Sequence, residues 1–113
     1  MDVKLKREND IVTAIICGDI DHHSAKEIRE TIDTYVGKEH PKVLKLDFSK
    51  VEFMDSSGIG LIMGRYRIMQ MLKGSVKVIN IPDHIKRLIK LSGLLGLGVI
   101  DEGAMETYET IKK

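Results

Sequence analysis

Two adjacent serines, Ser56 and Ser57, stand between Asp55 and Gly58 and are the residues best placed to do chemistry. The segment Asp47–Tyr66, DFSKVEFMDSSGIGLIMGRY, reads as the end of an apolar strand, a short loop and the start of a helix. A hydroxyl at a helix start accepts from backbone N–H groups that have no partner inside the helix. Those N–H groups and the helix dipole also favour a negative charge at that end. Ser56 and Ser57 therefore occupy a place where a phosphate is tolerated by the fold. Position alone favours the plainer reading, in which a serine only caps the helix.

Other constellations carry less. Of the four histidines, His22 and His23 are adjacent and His40 and His84 are remote in sequence, with no cysteine partner and no HExxH, so no metal site is expected. Gly58, Gly60 and Gly64 are spaced G-x-G-x-x-x-G, which is not a phosphate loop, and the last two fall inside the helix. They read as close packing of that helix on a sheet. Asp47 and Asp55 could belong to an acidic phospho-acceptor pocket, but Asp10 and Asp19 have no assured place beside them. No Ser-His-acid set follows from spacing, so no catalytic residue is assigned. Lys86, Arg87 and Lys90 read as a solvated helix face.

The elements that must position the serines follow from periodicity. Residues 3–8 alternate, 11–17 are almost continuously apolar, and the turn Glu8-Asn9-Asp10 between them predicts an antiparallel hairpin. Ser24 with Glu27 reads as a capping box, opening a helix over 24–36 with Gly37 as its stop. A strand over 42–48, a helix over 57–72 and a strand over 75–79 follow. The second helix has two apolar stripes, one with Ile59, Ile62, Met63, Tyr66 and Met69, the other with Leu61, Ile68, Leu72 and Arg65. Burial accounts for that width better than a partner does. Pro82 and Gly93 bracket a helix over 83–92. A short strand over 97–100 and a helix over 102–111 complete the order β β α β α β α β α. The expected class is α/β, a mixed sheet flanked by helices.

Totals bound the function. The 113 residues predict a single domain over 1–113 with a real core, and 42% hydrophobic content is too high for disorder. A net charge of +1 provides no global footprint for nucleic acid or an anionic membrane. There is no Trp, and Phe48, Phe53, Tyr35, Tyr66 and Tyr108 are too few for a base-stacking platform. Cys17, the single cysteine, lies in an apolar run and is expected to be buried. MDVKLKREND lacks an apolar signal core and no apolar run is long enough to cross a bilayer, so the expected place is the cytoplasm.

Three segments in this order, GDIDHHSA at 18–25, MDSSGIGLIMGRY at 54–66 and IKRLIKLSGLLGL at 85–97, resemble the STAS-domain anti-sigma factor antagonists. The resemblance covers nearly the whole chain and is greatest to the sporulation branch that frees sigma factor F. It departs at Ile81, where relatives often carry a small capping residue before Pro82. It implies a protein-binding switch, not an enzyme, with no cofactor of its own. The unphosphorylated form would bind a serine kinase that is also the anti-sigma factor, releasing the sigma factor. Phosphorylation of the serine directly after the aspartate, here Ser56, would inactivate it, and a PP2C-like phosphatase would restore it. The partner surface would include Asp21, His22, His23, Asp55, Ser56, Ser57, Gly58 and Arg65. Neither nucleic acid nor membrane is expected to be bound directly. A general stress-response antagonist, a passive scaffold and a small nucleotide-hydrolysing enzyme are the competing readings.

Overall fold

The computed structural model describes residues 2–100. The hairpin forms as the alternation predicts. β1 (Asp2–Glu8) and β2 (Ile11–Cys17) pair antiparallel across a turn in which Asn9 takes φ 56°, a left-handed conformation that Asn tolerates well. β3 (Val43–Lys50) then pairs parallel with β2, and β4 (Ser75–Ile79) parallel with β3. The sheet order is β1-β2-β3-β4. A parallel step needs a long crossover. α1 (His22–Glu39) supplies the first and α2 (Ser56–Met71) the second.

The side chains alternate between two sheet faces. One face is buried across β2, β3 and β4, through Val12, Ala14 and Ile16 on β2, Leu44, Leu46 and Phe48 on β3, and Val76 and Val78 on β4. The helices contribute Ile28, Ile32 and Val36 from α1 and Leu61, Ile62 and Met69 from α2 to the same core. A fully buried aliphatic side chain stabilises by about 1.5–3 kcal/mol, so this layer carries much of the fold. α3 (Asp83–Ser92) adds Ile85 and Ile89 and ends at Gly93, whose φ of 83° suits glycine.

Several expectations are corrected. α1 begins at His22, not at residue 24, because Asp21 is the cap and Ser24 completes the box from the third helical position. It passes through Gly37 and stops where His40 turns left-handed at φ 48°. α2 is capped by Asp55, which makes Ser56 its first helical residue and not its cap. Cys17 is half-buried, because it falls on the less covered sheet face. The strand expected over 97–100 is a 3-10 turn, Leu94–Leu97, followed by one bridge from Ile100 to Val78. The helix expected over 102–111 lies outside the described residues.

Candidate functional site

β2 and β3 are parallel neighbours, so the chain leaves both at the same edge of the sheet. The two exits are spliced. Gly18 N–H donates to Lys50 O at 3.2 Å, Ile20 N–H to Phe53 O at 2.9 Å, and Asp55 N–H to Ile20 O at 3.1 Å. Ile20 and Met54 form a parallel bridge and both are buried. The splice holds the starts of α1 and α2 side by side.

Each start is capped by an aspartate. Asp21 Oδ1 accepts from His23 N–H at 3.0 Å and Ser24 N–H at 2.9 Å, while Asp21 N–H donates to Ser24 Oγ at 2.9 Å. The Ser24 backbone bond holds the Asp21 carboxyl below its ordinary value; desolvation opposes it, and the His23 backbone bond adds to the lowering. Asp55 Oδ1 accepts from Ser57 N–H at 2.7 Å, and Asp55 O accepts from Gly58 N–H at 3.0 Å. Ser56 is exposed and Ser57 half-buried. With Asp55 serving as cap, the Ser56 hydroxyl is released from that duty and faces solvent at the positive end of α2.

His22 and His23 are exposed in the first turn of α1, their rings edge-to-face at 5.8 Å. Gly58 is buried, and a Cβ there would run into Met54 Cγ and Sδ. Asp21, His22, His23, Asp55, Ser56, Ser57 and Gly58 thus gather at one edge. Arg65 does not join them at the surface. It is 4% exposed between α1 and α2, its Nε 2.8 Å from Asp33 Oδ1 and its Nη2 donating to Asp33 Oδ2 at 3.2 Å. Burial raises the Asp33 carboxyl above its ordinary value against the pull of Arg65 and Arg29.

Other neighbours were not singled out from sequence. Phe53 is 53% exposed in the loop before Ser56, and His84 of α3 holds that loop through a 2.6 Å hydrogen bond to Glu52 O. A cavity of about 450 Å³ runs between α1 and α2, bounded by His22, Lys26 and Arg29 on one side and Ser57, Gly60 and Gly64 on the other. Among the described residues, Gly60 and Gly64 have nothing within 4 Å of where a Cβ would stand, so they open this groove instead of packing on the sheet. The spacing of residues 22, 26 and 29, one face of a helix, was the available signal. Among the described residues no cluster of His, Cys, Asp or Glu could hold a metal ion, and no helix is long and apolar enough to cross a membrane.

A model of the STAS domain matches residues 2–113. The chain belongs to the STAS domain family. This STAS domain is 34% identical over 94 residues to the anti-sigma-B factor antagonist of Bacillus subtilis, covering 83% of each chain. It is 27% identical over 94 residues to the anti-sigma F factor antagonist of Paenibacillus polymyxa, covering 83% of this chain and 80% of the relative. Its structure is similar to that of the Bacillus cell fate determinant SpoIIAA in the phosphorylated form, with TM-score 0.70 and 26% identity over 95% of this chain and 99% of SpoIIAA. The unphosphorylated SpoIIAA structure matches at TM-score 0.66 and 27% identity over 79% of this chain and 82% of that one. The four-stranded mixed sheet with its helices is the fold they share.

Proposed function

We propose that this protein is an anti-sigma factor antagonist, one STAS domain over residues 1–113 acting in the cytoplasm as a phosphorylation switch. Its unphosphorylated form binds an anti-sigma factor that is also a serine kinase and so releases the sigma factor. That kinase phosphorylates Ser56, which ends the interaction, and a PP2C-like phosphatase reverses the mark. Asp21, His22, His23, Asp55, Ser56, Ser57 and Gly58 form the docking edge, with Arg65 fixing the helix behind it. The observation that carries the reading is the exposed Ser56 hydroxyl on a helix start whose capping is already done by Asp55. Membership of the family and the relatives' names support it.

The chemistry is direct. A phosphoserine adds about −1.5 to −2 charges at neutral pH. At a helix N-terminus that charge is tolerated by the host. In a close interface the same group must be desolvated, and each 1.4 kcal/mol lost is about tenfold in affinity. Incubation with a cognate anti-sigma kinase and ATP, followed by peptide mass spectrometry, tests the assignment. One phosphate on Ser56 is expected, and modification only at other residues overturns it.

The sporulation pathway is our first assignment. The relative at 34% identity is an anti-sigma-B factor antagonist, which favours a second reading in general stress signalling. Competition of the two kinases for the purified protein separates them: preference for the sigma-F kinase supports the first, preference for the sigma-B kinase the second.

A further inference from the structure

We infer that the groove between α1 and α2 is a docking slot for an extended acidic segment of a protein partner. Its α1 wall carries His22, Lys26 and Arg29, spaced i, i+4, i+7. Its α2 wall carries Ser57, Gly60, Leu61, Gly64 and Arg65. Among the described residues no carboxylate lines it. Arg65 is engaged by Asp33, so the charge the groove offers a ligand comes from Lys26 and Arg29. Both are exposed, and neither forms a salt bridge among the described residues.

Shape decides between a small anion and a peptide. Seven residues of helix put His22 and Arg29 roughly 10 Å apart along the axis. Lys26 and Arg29 stand only about 4.5 Å apart along the axis, so one anion can meet those two, but only a longer ligand reaches His22 as well. An extended chain places alternate side chains about 7 Å apart on one face, so two or three acidic residues match it. The open floor at Gly60 and Gly64 gives the peptide backbone room. Charge-assisted hydrogen bonds from Lys26 and Arg29 then orient the segment.

This rests on the docking reading above and deepens it. Ser57 lines the groove and Ser56 precedes it on the same helix turn. A phosphate on Ser56 therefore brings negative charge to the mouth of a slot that receives negative charge. The mark acts as a repulsive element against the partner's own acidic segment.

The test is an amide NMR titration of the full chain with the peptide acetyl-Glu-Gly-Glu-Gly-Glu-amide, and separately with inorganic phosphate. Saturable shifts confined to the groove, at Ala25, Lys26, Arg29, Ser57, Gly60 and Gly64, are expected with the peptide. They should weaken at least tenfold in Lys26→Glu/Arg29→Glu and also in Gly60→Leu, which fills the slot without changing charge. Absent or diffuse peptide shifts, undiminished binding in either variant, or phosphate binding as tight as peptide overturns the slot. Wild-type affinity for a cognate anti-sigma kinase reads the docking function separately. Equal kinase affinity of wild type and Lys26→Glu/Arg29→Glu removes the slot while leaving that function intact.

Discussion

Asp21 and Asp55 do the same local job at the two helix starts, and that job decides what the serines are free to do. An aspartate cap accepts from backbone N–H groups as an anion, so its worth depends on pH. The Asp21 carboxyl is held below its ordinary value of 3.8 in the folded chain, chiefly by the Ser24 backbone bond. A depressed folded value stabilises above the unfolded value and is lost as pH falls through the folded one. Asp21→Asn keeps an acceptor but not the charge. It is expected to flatten the acid side of the stability curve below about pH 4 relative to wild type, as denaturant melts at several pH values will read. Asp55→Ala removes the cap of α2 and is expected to cost about 1 kcal/mol in the same melts. Ser56→Ala, by contrast, touches neither cap. It should melt like wild type, bind the kinase with nucleotide, and resist inactivation by ATP. Ser56→Asp should inactivate less than the phosphate, since it carries less charge and shorter reach.

Between elements, the tie that matters is the one across α1 and α2. Arg65 is nearly inaccessible and spans to Asp33 with two nitrogens, Nε and Nη2. Removing one member of such a pair leaves an uncompensated buried charge, which costs about 3–5 kcal/mol. Asp33→Ala is expected to approach that loss in chemical denaturation, while Asp33→Ala/Arg65→Met recovers most of it. A double variant as unstable as the single one would contradict this account. The seven elements from β1 to α3 were legible in the sequence, because β1 alternates, β2 is an apolar run between turns, and α1 and α3 each keep one apolar stripe at helical spacing. Their ends were not. Ser24 with Glu27 imitated a capping box, but Asp21, three residues earlier, takes the cap through its bonds to His23 and Ser24, and Ser24 closes the box from inside the helix. Gly37 looked like a stop, yet α1 continues, since glycine in a helix weakens it by only about 1 kcal/mol against alanine. Arg65 shared a stripe with apolar residues, and sequence gave no sign that Asp33 would take it up. The serines were visible from spacing, whereas the groove beside them was not, because it is made by two helices that start 34 residues apart, at His22 and Ser56.

Across the whole molecule, the parallel order of β2 and β3 brings both chain exits to one edge, the place where α/β sheets commonly present their ligand-facing loops. The buried layer beneath involves other residues. Phosphorylation at Ser56 is therefore expected to move the thermal midpoint by less than about 5 °C and to leave amide protection in β2 and β3 unchanged. A drop well beyond that, with core amides exchanging faster, would mean that the mark acts by unfolding. The backbone splice of Ile20 to Phe53 and Asp55 has a practical consequence for anyone recoding this protein. The two loops are halves of one joint, so transplanting residues 18–23 from a relative without its counterpart at 50–55 is expected to disturb the buried packing at Ile20 and Met54. The two segments therefore have to be exchanged together.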